Sequence, residues 1–157
     1  MNQHIFVSKK EKRLQLIKNK SVVLGFKVTL GKRPGKKLKE GDLKTPEGEY
    51  KIVVKNPKSK YNLSLGLNYP NIDDAIEARG QGIINEKIKD KIISAQKRYN
   101  QDATTIIPWD TEMGGKIYIH GKNNNHNNST KGCIVLDDQD MEKLFKQVKV
   151  GTKVFIK

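Results

Sequence analysis

Along most of this chain apolar side chains recur at every second position, the period of a strand with one buried face. Ile5 and Val7 alternate with polar neighbours, and Leu14, Leu16 and Ile17 form a second short run. Lys18-Asn19-Lys20 reads as a turn into a third strand over residues 21–30, where Gly25 suggests a bulge or close packing. These three predict a small antiparallel meander, with lysines at the strand ends that discourage edge pairing. Further strands are expected at 49–55, at 61–69 (Leu63, Leu65 and Leu67 on one face), at 116–120 and at 150–156.

The period lengthens to that of a helix twice. Ile88, Ile92, Ala95 and Tyr99 stand at i, i+4, i+7 and i+11 over residues 85–100, with Asn85 placed to cap. Met141, Leu144, Phe145 and Val148 repeat the stripe after Asp137 and Asp138, which read as caps. Residues 31–48 are a loop rich in glycine, proline and basic side chains, and those charges are expected to stay out of the core. A polar segment ends in Arg79-Gly80-Gln81-Gly82, a turn expected near the functional site. A loop over 104–115 carries Trp109, the sole tryptophan, which either walls a cleft or plugs the core. The pattern predicts a mostly β fold with two covering helices, one domain over residues 1–157.

Charge adds an asymmetry. Of 31 basic and 17 acidic residues, 17 basic and 5 acidic fall in residues 1–60, so nearly all of the net +14 lies there. Such a face suits a polyanion, either an anionic wall or a membrane surface. Nucleic acid is not expected as a partner, because the chain has no zinc-ligand spacing and few aromatics to stack on bases. No apolar run approaches the length of a membrane span, and MNQHIFVSKK lacks the apolar core of a signal peptide. The chain therefore reads either as cytoplasmic or as the mature part of a protein whose export signal has been removed. A monomer is expected.

The candidate chemistry lies between residues 116 and 136, KIYIHGKNNNHNNSTKGCIVL. A strand, with Ile117 and Ile119 to one side and Lys116, Tyr118 and His120 to the other, delivers His120 and Gly121 to a loop of five asparagines. The chain returns through Ser129, Thr130, Lys131, Gly132 and Cys133, the only cysteine, before turning apolar at Ile134. A histidine at a strand end and a cysteine at a loop exit can face each other, and thiol chemistry needs that pair: a base, and a soft nucleophile for an acyl carbon. Gly132 lets backbone approach a ligand, and amides around Cys133 can hold an oxyanion. A metal is not expected: His126 has only His120 and Cys133 near it, and His4 stands without a partner at the exposed N-terminus.

The run from His120-Gly121 to Ser129-Thr130-Lys131-Gly132-Cys133-Ile134 resembles the signature of the YkuD-type L,D-transpeptidase domain. Asp42-x-x-Thr45-Pro46-x-Gly48-x-Tyr50 resembles the family's turn into a core strand, and its residues read as a turn rather than as catalysts. The resemblance implies a β-sandwich or mixed sheet with a cleft, acting on peptidoglycan stem peptides in the periplasm or cell envelope without a cofactor. It implies Cys133 as nucleophile and His120 as its base, the two as a thiolate–imidazolium pair. It further implies the Gly121 carbonyl as the group that orients the imidazole, and the Gly132 and Cys133 amides as the oxyanion hole. Ser129, Thr130, Lys131, Arg79 and Trp109 are candidates for substrate contact. Lys131 stands where members often carry histidine and Val135 where many carry arginine, so a carboxylate anchor is missing. His120 and Cys133 lie thirteen positions apart, a few fewer than is usual. Three readings stay open: a transpeptidase, an L,D-carboxypeptidase that passes the acyl group to water, and a non-catalytic binding module using the basic N-terminal third.

Overall fold

The computed structural model describes residues 2–125 and 127–157. Eight strands form one mixed sheet: β1 (Gln3–Ser8), β2 (Arg13–Lys18), β3 (Ser21–Lys27), β4 (Gly48–Ser59), β5 (Asn62–Leu67), β6 (Tyr118–Gly121), β7 (Ile134–Leu136) and β8 (Lys153–Ile156). Their order is β3-β2-β1-β8-β4-β5-β6-β7. The meander of β1 to β3 is present, and β8 returns parallel to β1 to join it to β4. β4 pairs with β8 through Gly48–Lys51 and with β5 from Ile52 onward, shifting register on the way, so one long strand links the two halves of the sheet. The irregularity in the meander falls between Leu16 and Ile17, opposite the Val22–Leu24 stretch, and Gly25 stays in register with Gln15. The close packing expected at Gly25 is with the Arg13 guanidinium, 3.2 Å from where a Cβ would stand.

Alternation places Ile5, Val7, Leu14 and Leu16 in the core beside Val154 and Ile156. In β5 it breaks down. Ser64 and Gly66 are buried as well as Leu65 and Leu67, because Tyr118 and Val54 close over Gly66. Leu65, Ile119 and Ile134 are fully covered, each stabilising the sheet by roughly 1.5–3 kcal/mol relative to exposure. The two sheet edges are brought together by the strap after β3. Thr29 exchanges N–H···O bonds with Val135 at 2.8 and 2.9 Å, and Leu30 and Lys32 bracket Thr130 in the same way.

Among the described residues three helices cover this sheet, not two: α1 (Ile72–Gly80), α2 (Glu86–Gln101) and α3 (Asp138–Gln147). The sequence hides α1 because its buried residues are Asp74, Ala75 and Ala78, too small and polar for a recognisable stripe. A capping box between Asn71 and Asp74 starts it. Asp74 also accepts from the Tyr50 hydroxyl at 2.7 Å, with Lys36 Nζ 3.4 Å away; burial pushes its carboxyl up against these partners. Asn85 caps α2 as expected. The caps expected for α3 are not made: Asp137 pairs with Lys122 at 2.7 Å and Asp138 accepts from the Asn123 N–H at 2.8 Å, tying the helix to the asparagine-rich loop.

Basic residues of the 31–48 loop are not all outside the core. Lys37 is only 4% exposed. Its Nζ lies 3.1 Å from Asp42, which also accepts the N–H groups of Leu38, Lys39 and Lys44. Burial would push the Asp42 carboxyl up, but three backbone N–H groups and Lys37 hold it below the ordinary carboxylate range. This cage fixes the segment that presents Thr45. His4 is half-buried, edge-on to Phe155, rather than exposed at a frayed end.

Candidate functional site

β6 and β7 lie parallel, with Ile119 opposite Ile134 and His120 opposite Val135. Parallel neighbours need a long crossover, and residues 122–133 supply it. The crossover brings Cys133 back beside Tyr118, two residues from His120 on the same strand. Both side chains line a cleft of about 460 Å3 between the crossover, the strap and the β4–β5 hairpin tip. Among the described residues no three His, Cys, Asp or Glu side chains come together as a metal site. The reading of His126 lies outside the described residues.

His120 is nearly buried. Its Nδ1 lies 2.7 Å from the Gly121 carbonyl oxygen, which can only accept, so Nδ1 carries the proton and Nε2 is the basic nitrogen. Tyr61, at the hairpin tip, stacks on the imidazole with ring centres 3.8 Å apart and planes 14° from parallel. The tip is held down by Asn123 Nδ2 donating to the Lys60 carbonyl at 2.9 Å. Burial pushes the imidazole pKa down; the Gly121 bond opposes this and the Lys60 charge adds to it. The Cys133 thiol faces the backbone at and just before the start of β6, accepting from the Tyr118 N–H at 3.5 Å and donating to the Lys116 carbonyl at 3.7 Å. Burial pushes the thiol up, only partly offset by the Tyr118 N–H, Lys37 and Lys60. Both shifts favour the uncharged forms. Both directions run against the thiolate–imidazolium pair that the resemblance implies.

The turn carrying Cys133 is built from hydroxyls. Thr130 Oγ1 accepts from the Gly132 N–H at 2.9 Å and donates to the Cys133 carbonyl at 2.7 Å. Fully buried Thr45 donates to the Gly132 carbonyl at 3.0 Å and accepts from the Gly31 N–H at 2.9 Å. Of the two amides expected to hold an oxyanion, the Gly132 N–H already donates to Thr130, while the Cys133 N–H meets no acceptor among the described residues. Gly132 has φ +143°, and a side chain there would stand 2.7 Å from the Lys44 carbonyl oxygen. Gly132→Ala is expected to cost about 2–3 kcal/mol in stability and to slow acylation at least ~100-fold by displacing Cys133. Urea unfolding and acyl-adduct kinetics would check this; an alanine variant matching the wild type in both would show that the turn tolerates a side chain.

Ser129, Thr130 and Lys131 all line the cleft, although the Thr130 hydroxyl is committed to the turn. Arg79 and Trp109 do not. Arg79 ends α1 and pairs with Glu86 at 3.1 Å. Trp109 packs over Gly115 and edge-on against Tyr118, so it supports the core behind the site. Tyr61 escapes a reading of the sequence, and Thr45, read there only as part of a turn, gives no sign of its bond to Gly132. Tyr61 carries one signal, an aromatic ring in a polar hairpin turn, but its meeting with His120 depends on the β5–β6 register of Ser64 against His120.

The solved structures with this fold include Pgp2 from Campylobacter jejuni, a helical cell shape determining protein, at 23% identity and TM-score 0.66 over 99% of this chain and 47% of that one. An L,D-transpeptidase from Enterococcus faecium matches at 13% identity and TM-score 0.59, over 100% and 50%. One from Stackebrandtia nassauensis matches at 14% and 0.56, over 100% and 56%. The chain thus spans about half the length of these structures. No curated protein matches it by sequence. The YkuD family of L,D-transpeptidase catalytic domains matches residues 2–156, and with the strand pair, crossover and Gly-Cys turn all falling inside that match, the chain belongs to this family.

Proposed function

We propose that this chain is one catalytic unit that acts as a cysteine-dependent L,D-transpeptidase on peptidoglycan stem peptides in the cell envelope. The observation that carries the reading is one cleft lined by both Cys133 and a histidine whose Nδ1 proton is committed to Gly121. As substrate enters, Nε2 of His120 takes the thiol proton while Sγ attacks the carbonyl of an L-centre. The Cys133 N–H, which meets no acceptor among the described residues, steadies the oxyanion. Collapse breaks the C–N bond, and His120 returns the proton to the departing D-amino acid. An acceptor amine then attacks the thioester, giving its proton to His120, and the thiol is restored. The Thr45 and Thr130 hydroxyls hold the nucleophile's turn through both steps.

Hydrolysis is the second reading, and the short crossover favours it: with only residues 122–133 to shape the acceptor side, water can take the place of the amine. Purified tetrapeptide muropeptides, followed by mass spectrometry of products and protein, distinguish the two. A cross-linked dimer, or exchange of the terminal D-residue for an added D-amino acid, means transfer. Tripeptide alone means carboxypeptidase action. No product and no acyl adduct would remove the thioester reading and favour a binding module.

A further inference from the structure

The cleft wall carries charge of one sign. Lys32, Lys60, Lys122 and Lys131 line it, and among its described residues there is no aspartate or glutamate. Elsewhere the chain matches many of its lysines with acids: Lys9 with Glu47, Lys36 with Asp74 and Glu77, Lys37 with Asp42, Lys153 with Glu49. In the cleft only Lys122 is matched, by Asp137 at 2.7 Å. Lys60 Nζ rests 4.9 Å from the centre of the Tyr61 ring, above the histidine. Lys32 and Lys131 are exposed and make no ion pair among the described residues. They are also held near one another: the Lys32 N–H donates to the Thr130 carbonyl at 3.0 Å, stitching the strap to the turn that carries Lys131. Apolar Val135 lines the same cleft. Unmatched ammonium groups carried around a cleft on segments joined by backbone hydrogen bonds are suited to receive carboxylates.

We propose that the cleft selects its acyl donor by charge: it takes stem peptides whose side-chain carboxylates beside the scissile bond are free, and Lys32 and Lys131 hold those carboxylates. The proposal rests on the acyl-transfer reading and names its substrate class. Donors in which the same carboxylates are amidated lose the interaction and keep the rest of the peptide.

The test compares kcat/KM for two synthetic tetrapeptide stems, identical except that one carries free side-chain carboxylates and the other amides. The wild type is expected to prefer the free form about ten-fold at low salt, with the preference shrinking as ionic strength rises. Lys32→Gln combined with Lys131→Gln should bring the ratio close to one, mainly through KM, and Lys32→Arg with Lys131→Arg should restore it. Both positions are exposed, so the variants are expected to fold; thermal melting checks that. Equal turnover of the two stems, or preference for the amide, would overturn charge selection and leave acyl transfer standing. Turnover of neither would remove the acyl-transfer reading and the proposal with it. Equal turnover that an added polyphosphate inhibits would overturn selection in favour of a polymer-docking role for the lysines.

Discussion

Replacing Cys133 with alanine is expected to abolish both tripeptide and cross-linked product, a loss on the order of ten-thousand-fold or more, because no other side chain can carry the acyl group. The fold should survive. The thiol makes two long hydrogen bonds, 3.5 Å from the Tyr118 N–H and 3.7 Å to the Lys116 carbonyl, so their loss should change stability by less than about 1 kcal/mol. Product analysis and thermal melting of the variant, side by side with the wild type, measure the two effects separately. Turnover retained by the alanine variant would overturn the assignment of the nucleophile. Cys133 is also the only cysteine, so alkylation of the native protein reports this thiol alone. Since burial pushes the thiol pKa up, alkylation by a small haloacetamide should be slow at neutral pH and accelerate into the alkaline range. Fast alkylation at pH 6 would mean a preformed thiolate.

The strands that place this site were legible because alternation is a local signal: Ile5 and Val7, Leu14 and Leu16, Ile117 and Ile119 each declare a buried face within a few residues. The histidine and the Gly-Cys turn were legible for a different reason, since a polar loop between two apolar strands brings its ends together whatever the rest of the chain does. What stayed hidden depends on partners far away in sequence. Lys37 reads as solvated until Asp42 folds back on it; α1 reads as a polar linker until Tyr50 and Lys36 meet Asp74. Arg79 and Trp109 were drawn toward the cleft by their chemistry alone, whereas Glu86 claims the first and the surface of Gly115 and Tyr118 the second. The oxyanion donors show the same limit at finer grain. A Gly-Cys turn offers two amides on paper, and only the hydrogen bond from Gly132 to Thr130 reveals that one is already taken.

His120→Ala is expected to slow acylation by roughly a hundred- to ten-thousand-fold at neutral pH, the usual worth of a positioned general base. Its pH dependence carries more information than its size. In the wild type the imidazole must be neutral to accept the thiol proton. Burial, the largest influence, and Lys60 lower its pKa, so activity should fall only as the pH drops below the ordinary histidine value of about 6.5. Lys60→Gln removes a positive charge near the ring, so it should raise that pKa and move the acid limb upward. In the alanine variant the thiol must ionise unaided. The residual rate should then climb with pH through the neutral range toward the raised thiol pKa, with no plateau near neutrality. A histidine that merely packed under Tyr61 would give a different result on replacement: a lower rate with the wild-type profile. Adduct formation followed by mass spectrometry from about pH 5 to about pH 10, for wild type, Lys60→Gln and His120→Ala, separates the cases. Unchanged acylation in the alanine variant would move the base elsewhere. A slow rate with an unshifted profile would leave His120 a support for the hairpin tip rather than the group that takes the proton.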